Sequence, residues 1–159
     1  MSARLPAHCA RWLLAAALGA LSACSSFNAE WSAAGNPATA QGRTRWDGRW
    51  TSATHRTRAG APEGGRLRCV LAPTVPASGA GGTGLRAAFR ANWLVFTSDY
   101  TMEFQPVKGS RTEFRGTHEL PAIFGGTYRY TARMAGDRFT TRYDSSYDHG
   151  TFELSRVRP

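Results

Sequence analysis

Residues 127–143 decide the fold, and they read TYRYTARMAGDRFTTRY. Large apolar side chains alternate with Arg and Thr on both sides of a central Ala135-Gly136-Asp137. Alternation with period two is typical of a half-buried β-strand that has one face on a core and the other in water. A short connection containing glycine joins two such strands as an antiparallel hairpin. The stretch therefore predicts a hairpin with Tyr128 and Tyr130 on its inward face.

The same alternation recurs along the rest of the chain after residue 44. The other inward stripes are Trp46, Gly48 and Trp50; Leu67, Cys69 and Leu71; Leu85, Ala87, Phe89, Ala91, Trp93 and Val95; Met102 and Phe104; Phe114 and Gly116; and Phe152 and Leu154. We count eight predicted strands, joined mostly by short turns, and no convincing helix. Eight antiparallel neighbours close into a barrel that leaves no unpaired edge. The sequence predicts an all-β, eight-stranded antiparallel up-and-down β-barrel, with a β-sandwich as the alternative.

The chain begins with a segment typical of exported proteins. Arg4 and Arg11 precede an apolar run over residues 12–21. A basic start followed by a short apolar run is the layout of a secretory signal peptide. The run is about half of the roughly 20 residues that a membrane-spanning helix needs, so a permanent transmembrane helix is not predicted.

The apolar run ends in Leu21-Ser22-Ala23-Cys24. This tetrapeptide resembles the lipobox of bacterial lipoproteins, in which leucine and two small residues precede a cysteine. The resemblance implies that residues 1–23 are removed and that Cys24 is lipidated, so that several acyl chains (palmitate among them) hold the protein at a membrane. Because Ser25 follows the cysteine in place of aspartate, it implies the outer membrane, facing the periplasm. The alternative is an ordinary signal peptide with no role for Cys24.

Residues 24–44 are predicted to be the lipidated cysteine and a flexible tether, ahead of a barrel domain at 45–159. The tether residues are mostly small and polar, with two isolated aromatic residues and no sustained period. A flexible chain of this length reaches roughly 25 Å. A second stretch, 73–84, is rich in glycine and alanine and predicts an exposed loop.

The chain is strongly basic, with 20 Lys and Arg against 11 Asp and Glu, a net charge of +9, and a single lysine, Lys108. Such an arginine excess indicates either affinity for acidic partners or simply a solvated arginine-rich surface. Nucleic acid is not expected as a partner in the envelope. Cys9 lies in the signal peptide and Cys24 is lipidated, so Cys69 has no partner for an internal disulfide.

The first predicted strand carries Trp46-Asp47-Gly48-Arg49-Trp50. Its Gly-x-Trp resembles the first-strand motif of the calycins, among them the lipocalins and avidins. The resemblance implies a barrel in which this tryptophan packs across the closed end, beneath a cation from the last strand. Arg156 or Arg158 would supply that cation, and a guanidinium over an indole is favourable by about 0.5–2 kcal/mol. The resemblance leaves the ligand open.

Residues capable of catalysis or metal binding do not form a recognisable pattern. His55, His118 and His149 lack the paired spacing of a zinc site. Asp144 and Asp148 are expected to hold turn backbone, because the full calcium-loop ligand set is missing. Cys69 lies on an inward stripe, which favours a core residue over a nucleophile. The sequence therefore predicts no metal, no cofactor and no enzymatic activity.

The inward aromatic stripe allows two functions. Trp93, Tyr128 and Tyr130 are candidates to line a pocket for an apolar envelope molecule, which predicts a small carrier or sensor. The same rings would also fill an eight-stranded barrel completely, which predicts a lipid-anchored structural or interaction module with an envelope protein as partner. An apolar loop tip at 121–126 is expected either to plug one barrel end or to contact a partner or lipid.

Overall fold

A computed structural model of the chain describes residues 26–74, 83–93, 97–122 and 125–158. The strands are β1 (Thr44–Arg56), β2 (Pro62–Thr74), β3 (Gly84–Asn92), β4 (Thr97–Pro106), β5 (Glu113–Glu119), β6 (Thr127–Ala135), β7 (Arg138–Asp144) and β8 (His149–Val157). They pair in chain order, each antiparallel to the next, and β8 pairs with β1 to close the barrel. The predicted up-and-down barrel is confirmed, and the sandwich alternative does not apply.

The barrel has two ends. The upper end, as we call it, carries the β1–β2, β3–β4, β5–β6 and β7–β8 connections, and the lower end carries the others together with the start of β1. At the lower end Gly136 turns the chain from β6 into β7 with φ 59°. Glycine adopts this left-handed conformation without steric penalty, which explains the tight hairpin predicted from residues 127–143.

Inward-facing side chains pack into one buried cluster inside the barrel, and they are on the face that the alternation predicts. Phe89, Phe104 and Phe139 are each 0% exposed. The ring of Phe152 packs against Phe89 and Tyr143, with centroid distances of 5.6 and 5.2 Å. Full burial of a large apolar side chain contributes about 1.5–3 kcal/mol, so these rings supply much of the driving force for folding.

Gly48 lets β1 and β8 approach closely. It lies between Trp46 and Trp50 on the inward stripe, and a Cβ atom there would collide with the backbone carbonyl of Glu153. Because glycine has no Cβ, β8 can cross β1 at this point without distortion. The glycine of the first-strand motif therefore has a local role in closing the barrel.

Residues 26–35 were predicted to belong to a flexible tether without a helix, and for them this prediction was wrong. They form helix α1. Phe27, 3% exposed, packs against Val70 and Ala88 on the outer faces of β2 and β3, with Trp31 beside it. An apolar stripe at spacings of three and four residues binds a helix to such a patch. Among the described residues, no helix has both the length and the apolar character needed to cross a membrane.

The predicted third strand ends earlier than its stripe suggests. β3 stops at Asn92, so Trp93 lies beyond the strand and is 36% exposed. Residues 94–96, including Val95, lie outside the described residues, as do 75–82 of the predicted loop and 123–124 of the predicted loop tip.

The cation expected over Trp50 is not provided by either candidate. Arg158 pairs with Asp137 across the lower end. The β1–β8 register sets Arg156 opposite Trp46, and Trp50 opposite Phe152. Trp50 instead packs against Trp93 with the rings tilted by 46° and 4.2 Å between their centroids, and its Nε1 donates to the carbonyl of Asn92.

Candidate functional site

The three predicted ligand-binding residues separate into a pair and a single ring. Tyr128 and Tyr130 are neighbours on β6, with 6.3 Å between ring centroids, and both pack on Tyr143. Trp93 packs against Trp50. All three belong to the upper half of the barrel, since Trp93 follows β3 and Tyr128 lies near the start of β6. A carrier would require these packed rings to separate around its ligand.

Burial controls the ionisation of the tyrosines. The pKa of Tyr130 is raised, mainly because burial disfavours the phenolate. Burial also raises the pKa of Tyr143, and its hydrogen bond to Asp148 acts in the same direction. Both hydroxyl groups therefore stay protonated at physiological pH, and that of Tyr143 donates to Asp148.

A buried polar cluster, missed by the sequence reasoning, joins β1, β7 and the β7–β8 turn. Asp148, 7% exposed, accepts hydrogen bonds from Ser52 Oγ at 2.6 Å and from the Tyr143 hydroxyl at 2.8 Å. Ser52 Oγ accepts in turn from the backbone N–H groups of Thr54 and His55. A buried carboxylate needs such donors, so the cluster fixes the upper turn of β7–β8 to β1. Ser52 and Asp148 are 96 residues apart, and no local sequence signal connects them.

This cluster is not arranged for nucleophilic chemistry. Ser52 is 1% exposed, so its hydroxyl is closed to a substrate. A serine nucleophile needs an accessible Oγ and a neighbouring base that is itself oriented by a third group. The nearby His149 is engaged instead with Thr54, whose Oγ1 lies 2.9 Å from Nδ1. The geometry supports a structural hydrogen-bond cluster.

The other candidate residues for chemistry are dispersed. Within the described ranges, no three His, Cys, Asp or Glu side chains come together as a metal site. Cys69 is fully buried on the inward face of β2, and burial raises its pKa well above the ordinary value. A protonated thiol that solvent cannot reach does not act as a nucleophile, so Cys69 is a packing residue of the core. Tyr147 covers the His55 ring, with 4.7 Å between ring centroids, and His118 lies beside Tyr100.

A wide concave surface lies on the outside of the barrel, across β5, β6, β7 and β8. This surface, which we call the arginine groove, encloses about 650 Å³. Its outward-facing lining consists of Glu113, Arg115, Thr131, Arg133, Thr140, Arg142, Thr151 and Glu153. The strand register places Arg115, Thr131, Arg142 and Thr151 in one row across the four strands. Side chains directly opposite on neighbouring strands are about 5 Å apart, so the row is continuous.

The groove carries guanidinium groups without internal partners. Within the described part of the chain, the ion pairs are Arg66–Asp47, Arg86–Glu30, Arg90–Asp99 and Arg158–Asp137. None of them involves Arg115, Arg133 or Arg142. An arginine presents up to five N–H donors in a rigid fork that matches a carboxylate. The groove therefore offers a preformed set of cationic donors on a rigid sheet.

Cys24, the predicted lipidation residue, lies outside the described residues. Comparisons with protein-family models, with curated proteins and with solved structures find no match to this chain. In the part of the chain that the structure describes, the fold is a closed eight-stranded up-and-down antiparallel barrel with one short external helix.

Proposed function

We propose that this chain is a lipid-anchored protein of the cell envelope that acts as a non-enzymatic interaction module through its arginine groove. Cys24 is the anchor, and the outer membrane, facing the periplasm, is the location. The observation that carries the proposal is the groove itself, in which Arg115, Arg133 and Arg142 face solvent without ion-pair partners in the described part of the chain.

The lining of the groove favours a protein partner with an acidic segment. Glu113 and Glu153 lie among the three arginines, so the surface carries both charge signs. A uniformly anionic polymer would be repelled by these carboxylates. A protein surface can place Asp or Glu against the arginines and Lys or Arg against the glutamates, and such complementary patterning gives specificity. Thr131, Thr140 and Thr151 add neutral donors and acceptors between the charges.

The filled interior also favours an outer binding surface over an internal one. The ring of Phe152 packs against those of Phe89 and Tyr143 inside the barrel. Opening a pocket there would separate well-packed aromatic pairs, each worth about 0.5–1.5 kcal/mol beyond the area that it buries. The groove needs no such rearrangement, because its side chains already face solvent.

Photo-crosslinking in cells tests the proposal. A photoreactive amino acid replaces Thr131 at the centre of the groove in the full-length chain. We expect one discrete crosslinked protein, and we expect it to fall to background in Arg115→Glu/Arg142→Glu, because two charge-assisted contacts are worth on the order of a hundredfold in affinity. The matched control is Arg111→Glu, an exposed arginine in the β4–β5 connection that does not line the groove.

Two results would overturn the interaction surface: no discrete species, or a species that survives the groove substitutions unchanged. The anchor is tested separately on the same protein. Mass measurement of the mature chain should show cleavage before Cys24 and added acyl chains, and Cys24→Ala should release the chain from the outer-membrane fraction. An unmodified Cys24 in the mature wild-type chain would refute the anchoring.

A further inference from the structure

The exposed large apolar side chains of the barrel gather at its upper end. Among the described residues they are Trp93 at 36%, Leu120 at 37% and Tyr147 at 54% exposure. Trp93 follows β3, Leu120 follows β5, and Tyr147 lies between β7 and β8. Three separate connections at the upper end thus each carry a partly exposed apolar side chain.

Basic residues accompany them. Arg56 ends β1 and Arg58 follows it in the β1–β2 connection, and both are exposed at the upper end. Trp and Tyr are enriched where a membrane meets water, because each ring has an apolar body and a polar edge. Arginine beside an anionic lipid surface contributes about 1 kcal/mol per residue. This combination is typical of a surface that contacts a bilayer.

Helix α1 brings the start of the described chain towards the same end. Ser26, its first residue, lines a small surface pocket together with Asp99, Tyr100 and Thr101 of β4. Since β4 begins at Thr97 at the upper end, Asp99 is two residues, about 7 Å, from that end along the strand. Cys24 precedes Ser26 by two residues, which span at most about 7 Å.

The helix is fixed to the barrel by polar contacts as well as apolar packing. Arg90 donates to both carboxylate oxygens of Asp99 at 2.7 Å and to Asn28 Oδ1 at 2.6 Å. Its guanidinium also lies 4.6 Å from the centre of the Phe27 ring. Arg86 and Glu30 form a bidentate ion pair, in which the guanidinium donates to both carboxylate oxygens. An anchor at Cys24 would therefore hold the barrel in one orientation, with no long tether between them.

We propose that the upper end of the barrel rests on the lipid bilayer, with Trp93, Leu120 and Tyr147 in the membrane interface. This rests on the proposed lipidation of Cys24, which puts the membrane within two residues of α1. The arginine groove lies on β5 to β8, away from the β2–β3 face that α1 covers, and stays open to the periplasm. The occupant of the upper end is thus lipid, and the occupant of the groove is protein.

Fluorescence quenching in vesicles tests the orientation. The full chain, processed and lipidated in cells, carries an environment-sensitive dye on a cysteine introduced as Leu120→Cys or Tyr147→Cys. Arg111→Cys in the β4–β5 connection at the lower end is the matched control. Cys69 is fully buried and stays unlabelled in the folded protein. The vesicles contain phosphatidylethanolamine and phosphatidylglycerol with lipids brominated in the acyl chains.

We expect quenching at positions 120 and 147 to exceed that at position 111 at least about threefold, because side chains in the interface sit roughly 5–10 Å into the headgroup and acyl boundary. Phe27→Ala, which loosens α1, should reduce this difference by about half or more, since the anchor then no longer orients the barrel. Equal and weak quenching at all three positions in a chain that floats with the vesicles overturns the orientation alone.

Failure of the proposed lipid anchoring can be distinguished from failure of the proposed orientation. A chain that has an unmodified Cys24 by mass and does not float with the vesicles refutes the lipid anchoring, and the orientation falls with it. A dye response at positions 120 and 147 in native envelope membranes that is missing in lipid-only vesicles would assign the upper end to a protein partner. That result also overturns the proposal.

Discussion

Apolar residues form two clusters in this protein, one inside the barrel and one outside it beneath α1. The inner cluster is built by strand alternation, with residues such as Trp46, Phe89 and Phe139 pointing to one side. The outer cluster joins Phe27 to Val70 and Ala88, which point the other way from β2 and β3. One cluster closes the barrel, and the other attaches a short segment to its wall. The sheet therefore has two buried faces where a helix covers it.

The inner cluster is expected to carry the global stability. Trp46 is 2% exposed and packs on Phe139, with 6.0 Å between ring centroids. Trp46→Ala should lower the free energy of unfolding by about 3–5 kcal/mol, because truncation leaves a cavity that the closed barrel cannot collapse around. Urea unfolding followed by circular dichroism measures it. Trp31→Ala, in the outer cluster, is the control, and an equal loss in both variants would erase the distinction between the clusters.

The outer cluster is expected to unfold locally. Phe27→Ala removes the ring that packs on Val70 and Ala88, and should weaken α1 docking by about 1.5–3 kcal/mol. Hydrogen exchange should accelerate at the amides of residues 26–35 and stay unchanged in β5 to β8. Ser32→Ala, at an exposed position of α1, is the matched control. Faster exchange throughout the barrel would show that the helix is part of the same cooperative unit.

The smallest expected effect is a pH dependence confined to the outer cluster. The hydrogen bond to Arg86 lowers the pKa of Glu30 below its ordinary value of 4.5. The Glu30–Arg86 contact therefore stabilises α1 docking fully above pH 4.5. This stabilisation is lost as the pH falls through the lowered pKa that Glu30 has when α1 is docked. A partly exposed pair of this kind contributes less than about 1 kcal/mol.

Limited proteolysis within residues 26–35 measures this dependence between pH 6 and pH 3 (roughly the range in which a carboxylate titrates). Cleavage should increase at the acid end in the wild type. Glu30→Gln should give the same cleavage rate at every pH after correction for the protease, because its amide cannot titrate. A wild-type profile as flat as that of Glu30→Gln would contradict the assigned role of Glu30.

The inner cluster was predictable from the sequence, and the outer one only in principle. Period-two alternation identified the inward residues, because it depends on nothing beyond the geometry of a single strand. The outer cluster also has a sequence signal, although a weaker one. Phe27, Trp31 and Ala34 are spaced by four and three residues, as on one face of a helix. Val70 and Ala88 also break the alternation of their strands, which indicates a covered outer face.

The arginine groove was predictable only in part. Alternation places Arg115, Arg133 and Arg142 in water, and that holds in the structure. Their convergence depends on the register, which sets Arg115 opposite Thr131 and Thr131 opposite Arg142. A shift of register by two residues keeps every side chain on its face and still changes which arginines are neighbours. The composition of the outer face was therefore accessible from the sequence, and its arrangement was not.

The β1–β8 pairing has a kinetic consequence. The other seven pairings join strands that are consecutive in the chain, and this one joins Trp50 to Phe152, close to the two extremes of the barrel. Closing so long a loop costs entropy, and this cost is offset only when the β1–β8 pairing has formed along its whole length. Contacts between residues so distant in the chain slow folding. A chain that leaves the ribosome or a translocation pore N-terminus first can form its hairpins as they emerge. It remains an open ribbon with two unpaired edges until β8 arrives, which is the interval in which it needs protection from aggregation.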